Sequence, residues 1–112
     1  MIQFQVRQKV NPDDLAAFEK IIRNSFIPAI SHQEGFVGFR LLYEYPEDVR
    51  VELGATSDGF HVVVQLTFDT EDHRQTWVKT DEHEAVGQQL GGVVKDATFS
   101  GYTIVTETGS PT

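Results

Sequence analysis

Residues 67–90 read TFDTEDHRQTWVKTDEHEAVGQQL, a segment in which a strand runs out and two helix starts follow in close succession. Thr70 is an N-cap residue followed by Glu71 and Asp72, and Thr80 repeats the signal with Asp81 and Glu82. In each case a side-chain oxygen meets free N–H groups and the acids face the positive end of the helix dipole. One helix therefore ends near Lys79 and a second begins after Thr80. The single tryptophan, Trp77, lies just before the break. A large aromatic with one N–H donor suits a place where an apolar ligand must be oriented, so the broken helix reads as the lid of a pocket.

Outward from that segment the chain alternates between two periodicities. Ile2, Phe4 and Val6 alternate with Gln3, Gln5 and Arg7, the period of a strand with one buried face. Asn11, Pro12, Asp13 and Asp14 then supply an N-cap, a proline in the first turn and two acids, which start a helix. Its apolar stripe is Leu15, Phe18, Ile21, Ile22, Phe26 and Ile30, and Pro28 inside that pattern predicts a kink or an end, with the stripe bending at Phe26. FVGFRLLYEY, residues 36–45, reads as a long strand with Val37, Phe39, Leu41, Tyr43 and Tyr45 on one face and Phe36, Gly38, Arg40, Leu42 and Glu44 on the other. Neither face is simply polar, so both are expected to be covered. Pro46, Glu47 and Asp48 turn the chain, Val49–Leu53 reads as a short extra strand and Gly54–Gly59 as another turn. HVVVQLTF at 61–68 is a further strand, and ATFSGYTIVT at 97–106 a last one after the Gly91-Gly92 helix stop.

Strand, helix, strand, strand, helix, strand is a ferredoxin-like βαββαβ order: an α+β fold with a four-stranded antiparallel sheet and two helices on one face. Residues 1–106 form one domain in this reading, and 107–112 a C-terminal tail. A helix over Pro12–Ile30 would be about 27 Å long and a strand over Phe36–Tyr45 about 33 Å, so the two layers match. Two helices cover only one face of such a sheet. The other face, with the second sides of residues 36–45 and 61–68, predicts a twofold homodimer packed sheet against sheet.

Composition narrows the function. The 112 residues contain 17 acidic and 9 basic side chains, a net charge of -8 that repels nucleic-acid backbones. There is no cysteine, hence no disulfide, thiolate nucleophile or Cys metal site. No apolar run approaches the roughly 20 residues of a bilayer span, and no signal-peptide pattern opens the chain, so the cytoplasm is the expected compartment. His32, His61, His73 and His83 are scattered without HExxH or paired ligand spacing, and no GxSxG, P-loop or GxGxxG motif is present, so neither a metal nor a nucleotide cofactor is implied. The DEHE run at 81–84 reads as a solvated helix start.

The NPDD helix start, EGFVGFRLLYEY, and above all TFDTEDHRQTWVKTDEHEAV resemble the antibiotic biosynthesis monooxygenase (ABM) superfamily of dimeric α+β barrels, over residues 2–105 and with a longer connection at 46–59. The resemblance rests most on Trp77 followed, past a break, by Asp81, Glu82 and His83. It implies a monooxygenase that oxidises a small quinol, phenol or anthrone-like aromatic with O2 and uses no cofactor. The alternatives are a non-catalytic dimer binding a small hydrophobic molecule and a haem-degrading enzyme. In the haem branch the resemblance puts an Asn where this chain has Val6 and an axial His where it has Gly87, and only the tryptophan transfers. In the oxygenase reading Trp77, His83 and His61 are the catalytic candidates. Phe4, Val6, Phe18, Ile22 and Phe26 line the pocket, with Arg40 and Tyr43 orienting the substrate.

Overall fold

The structure is a computed structural model that describes residues 1–109; the end of the expected tail, residues 110–112, lies outside them. Strand β1 (Ile2–Val10) runs at the centre of a fully antiparallel sheet with β2 (Phe36–Tyr43), β3 (Val62–Phe68) and β4 (Val94–Thr103) in the order β2-β3-β1-β4. The period-two pattern of β3 buries Val62, Val64, Leu66 and Phe68 on one face. Opposite them in β1 stand Gln8, Val6, Phe4 and Ile2. One face of the sheet is thus apolar except for Gln8, and all the long helices pack on it.

The first helical stretch starts with a 3-10 turn at Pro12–Asp14 and continues as α1 (Leu15–Ile21), a π-helical turn (Ile22–Phe26) and α2 (Ile27–Ser31). The helix passes through Pro28 without ending. Ile27 N–H donates to Ile22 O, five residues back, and Pro28 follows in the first turn of α2, exposed to solvent, where the register change leaves no bond for its missing N–H to make. The extra residue in the π turn also rotates the stripe, which keeps Phe18, Ile22, Phe26 and Ile30 all buried. The other cover is the broken helix, α4 (Glu71–Val78) and α5 (Asp81–Gly91). The core joins the two layers through Phe18, Ile22, Phe26, Ile30, Trp77 and Val86 against the sheet.

Several expectations change. Val49–Leu53 is not a strand but the second half of a short helix, α3 (Glu47–Leu53), because Pro46 caps its start, Glu47 and Asp48 face the dipole, and Gly54 at φ 71 closes it in the left-handed conformation. None of its residues is buried. In β2 the register shifts between Phe36 and Gly38. This bulge brings Phe36 to the core face together with Phe39 and Leu41, leaving Val37, Arg40 and Leu42 outward. The strand also ends at Tyr43 rather than Tyr45, and β4 is shifted to Val94–Thr103 from the expected 97–106. Finally, the outer face is mixed rather than broadly apolar. Val37, Leu42 and Val63 share it with Gln3, Gln5, Arg7, Arg40 and Gln65. Arg7 pairs with Asp58, and Arg7 and Lys9 lie over the Phe60 ring at 5.5 and 4.7 Å, so the connection after α3 covers one end of that face. No described helix is long and apolar enough to cross a membrane.

Gly35, between α2 and β2, has φ 81, and a side chain there would run into Asp69 and His73. Gly54 has a similar φ with open space around it. Gly54→Ala should therefore lose about 1 kcal/mol, the cost of the left-handed backbone alone, whereas Gly35→Ala should lose clearly more. Denaturant unfolding of both variants separates the two contributions, and equal losses would mean that the Asp69–His73 contact carries no weight.

Candidate active site

The break in the lid is built by one side chain. Thr80 Oγ1 donates to Trp77 O at 2.8 Å and accepts from His83 N–H at 3.1 Å, so it closes α4 and caps α5 at once. Thr70 does the capping for α4, accepting from His73 N–H at 3.2 Å. The chain turns sharply at Lys79 and Thr80. As a result Trp77 and His83 meet edge to face, with ring centres 5.1 Å apart. Trp77 is 1% exposed and also packs edge-on against Phe26 at 6.0 Å.

Beneath these rings lies a cavity of about 530 Å³, the size of a site for a small organic ligand. Its floor is the inner face of β1 and β3, Phe4, Val6, Gln8, Val64 and Leu66. The helices supply Phe26, Arg74, Trp77, His83, Val86, Gly87 and Leu90. The edge strand β4 closes one side with Val94, Ala97 and Phe99. Phe99 is stacked on Phe4 at 6.1 Å yet 63% exposed, which marks the cavity's open side.

Of the residues expected at the site, Phe4, Val6, Phe26, Trp77 and His83 line this cavity together. The others are elsewhere. Phe18 and Ile22 point from the same helical stretch into the solid core and are 0% and 1% exposed. His61 sits just before β3 and is held by backbone, Nε2 at 2.7 Å from Val10 O and Nδ1 at 3.2 Å from Gly59 O. Arg40 is on the outer face of the sheet, across from the cavity, because it alternates with the core-facing Phe39 and Leu41 and pairs with outward Gln65. Tyr43 donates its hydroxyl to Glu19 at 2.6 Å, and burial together with that carboxylate pushes its pKa up, so it remains a phenol.

Arg74, Gln8 and Phe99 were not foreseen. Arg74 is bound through Nε to the Glu71 carboxylate and lies 4.3 Å over the Phe4 ring. In the sequence it looks like any surface arginine on a helix. Gln8 is the buried polar side chain among the described residues, 3% exposed in the floor of the cavity. Its place on the apolar face of β1, in phase with Phe4 and Val6, is the one signal in the sequence that could have marked it.

The electrostatics separate two histidines. Burial, reinforced by the positive Arg74, holds the His83 pKa below the ordinary value, so its imidazole is neutral at pH 7 and free to accept a proton. His73, on the outer side of α4, lies 2.6 Å from Asp69 and 3.5 Å from Glu34. Its hydrogen bond to Asp69 raises its pKa and lowers that of Asp69.

No family model matches this sequence, and no curated protein matches it. Solved structures do match the fold. In architecture the chain is a ferredoxin-like α+β domain of the type found in antibiotic biosynthesis monooxygenases. Its fold is similar to a putative antibiotic biosynthesis monooxygenase from Nitrosomonas europaea, with TM-score 0.72 and 15% identity over 95% of this chain and 100% of that one. It is likewise similar to a variant of SnoaB, a cofactor-independent oxygenase from Streptomyces nogalater, with TM-score 0.72 and 16% identity over 95% of this chain and 94% of the other. A third is a variant of MhuD with two manganese protoporphyrin IX bound per active site, TM-score 0.70 and 18% identity over 98% of this chain and 100% of that one.

A porphyrin calls for an axial donor. Gly87, where the resemblance places one, is on the cavity wall and carries no side chain, with open space where a Cβ would stand. Neighbouring Val86 supplies no donor either, and the His83 ring one turn earlier is packed against Trp77. The wall does not fit a haem ligated in that way. Among the described residues no group of three or more His, Asp or Glu side chains converges to hold a metal ion.

The histidines give a direct test. In a proton NMR titration the His83 C2–H resonance should move with a midpoint below the ordinary 6.5 and that of His73 above it. The unfolded chain binds the His83 proton more readily than the folded one. Its contribution to stability is therefore full above the ordinary value and is lost as the pH falls through it toward the depressed one. His73 acts with the opposite sign, losing its contribution as pH rises through its raised value. A His83 midpoint at or above 6.5 would contradict the neutral imidazole.

Proposed function

We propose that the protein is a cofactor-independent monooxygenase that oxidises a small quinol, phenol or anthrone-like aromatic with O2 in the cavity under the broken helix. The observation that carries this reading is a neutral imidazole, His83, in a largely apolar cavity wall and in contact with Trp77. Electron-rich aromatics of this kind react with O2 once deprotonated, so the protein has to supply a base, an orientation and a dry space. His83 takes the proton from the substrate's acidic O–H or C–H. The resulting anion gives up electrons to O2, a C–O bond forms and the O–O bond breaks. For an anthrone-type methylene the balance is CH2 plus O2 to C=O plus H2O, with the proton on His83 leaving in the water. Trp77 orients the ring system, and Phe4, Phe26 and Phe99 hold its faces. The fold's likeness to an enzyme described as a cofactor-independent oxygenase supports the same reading.

The reading includes a homodimer with the outer sheet face as its contact. Val37, Leu42 and Val63 would be covered there, and the intervening Gln and Arg side chains would pair across the interface. Sedimentation at micromolar concentration should give twice the 12.6 kDa of one chain.

Chelator-treated protein should consume oxygen with a panel of hydroquinones and anthrone, one O2 per anthraquinone formed from anthrone and one O2 per hydroxyquinone formed from a hydroquinone. Trp77→Phe, which keeps most of the buried area, should lower kcat/KM about 2- to 13-fold, the 0.5–1.5 kcal/mol of one neutral hydrogen bond. His83→Ala should lower kcat by about 10²–10⁴ if it is the base. Absence of turnover across the panel, with the same compounds still binding, would make the protein a carrier or sensor of hydrophobic molecules instead.

A further inference from the structure

Among the polar side chains that line the cavity, Arg74 and Gln8 have no role in the reaction outlined above, and they stand towards opposite ends of it. Arg74 is at the Phe4 end. The Glu71 carboxylate, which is not part of the cavity wall, takes its Nε–H. A guanidinium has five N–H donors, so four remain on the two Nη nitrogens. Among the described residues they enter no hydrogen bond or ion pair, although the side chain is only 16% exposed. Glu71 fixes the plane, Phe4 supports its face at 4.3 Å, and the free fork is left for an acceptor.

Gln8 is at the other end. No fully buried side-chain nitrogen or oxygen of the described residues lacks a partner, and the Gln8 amide enters none of their hydrogen bonds, so it opens onto the cavity. Phe4 and Gln8 face the same way four residues apart on one strand, which separates them by about 13 Å. Between them the lining is apolar: Val6, Val64, Leu66 and the Trp77 ring. The charged groups that face the space are Arg74 from α4, His83 from α5 when protonated, and the neighbouring Lys95 and Asp96 of β4, which offset one another.

We infer that Arg74 and Gln8 set the ligand class: the cavity selects an elongated fused aromatic with an acidic oxygen at one end, held by the Arg74 fork, and a second hydrogen-bonding oxygen at the other, met by the Gln8 amide. The inference rests on the proposed reading only in taking this cavity as the ligand site. It assigns Arg74 the orienting role that sequence reasoning gave to Arg40 and Tyr43. It also completes the proton transfer, because an oxyanion on Arg74 offsets the charge that His83 acquires. Arg74 and Gln8 are positioning residues for selectivity, and their effect belongs in binding and KM.

Calorimetry with three probes tests this: 6-hydroxy-2-naphthoate, its carboxamide 6-hydroxy-2-naphthamide, and 2-naphthoate. The intact protein should bind the hydroxy-naphthoate at least 10-fold more tightly than the amide. Arg74→Gln should remove that ratio while leaving amide affinity within about twofold, and Arg74→Lys, which keeps the charge without the fork, should retain part of it. Gln8→Leu should erase the advantage of 6-hydroxy-2-naphthoate over 2-naphthoate and leave the preference for the anion. Thermal melts of each variant confirm that it is folded. The inference is overturned if acid and amide bind alike, if Arg74→Gln keeps the preference, or if no probe binds at millimolar concentration. Preference for the anion without oxygen uptake on the quinol panel removes the oxygenase reading and leaves this one standing. Oxygen uptake with no preference for the anion does the reverse.

Discussion

Thr80 is the hinge on which the site depends. A continuous helix from Thr70 to Gly91 would carry residues 77 and 83 to different sides, because six residues at 100° each amount to a rotation of about 240°. By bonding the Trp77 carbonyl and the His83 N–H with one hydroxyl, Thr80 stops the first helix and restarts the second in a new direction. The two rings then share one wall of one cavity. Two properties of that wall follow: a buried aromatic plane, and an imidazole kept neutral chiefly by burial.

The same break needs outside support, since the two helical segments share few backbone bonds with one another. The loop between α2 and β2 provides it. His32 lies 2.8 Å and Gln33 Nε2 3.2 Å from the Glu82 carboxylate at the start of α5. On the other side Asp69 N–H donates to Gly35 O, and His73 of α4 is bracketed by Asp69 and Glu34. One loop of four residues is thereby tied to both halves of the lid, mostly by exposed polar contacts that are individually weak. Such contacts hold a resting position without making the lid as rigid as the sheet below it. A ligand entering past Phe99 would displace few buried groups.

The sheet shows a division of labour between its two faces. On the inner face the even residues of β1 and β3 form a floor that is part solid core and part cavity, and the boundary is set by side-chain reach. Phe18 and Ile22 fill the space over one half. Over the other half the nearest helix residues are Trp77, Val86 and Gly87, and the glycine leaves volume unfilled. On the outer face glutamines and arginines alternate with a few valines and leucines, a mixed surface that is comfortable in water.

What the sequence determined by itself was whatever depends on neighbours along the chain. The strand phases of β1 and β3, the Asn11-Pro12 helix start, and both threonine caps are local matters of periodicity and hydrogen-bond supply, and they suffice for the ferredoxin-like order and for a break beside Trp77. The capping signals around Val49–Leu53 are equally local, but the branched residues between them favour a strand by propensity, and the helix forms because the flanking proline, acids and glycine prevail. The tertiary structure decided which of several apolar residues became wall and which became core. Phe18, Ile22 and Phe26 are indistinguishable as a helical stripe, and only the packing of the helix across the sheet makes Phe26 wall and the other two core. The pairing of β2 with β3 put Arg40 beside Gln65 on the far side, a bulge moved Phe36 to the core face, and a helix turn brought Arg74 over Phe4. Register shifts and charges placed by contacts distant in the chain leave no periodic trace in it, and for that reason the polar groups of the site were the last part to become legible.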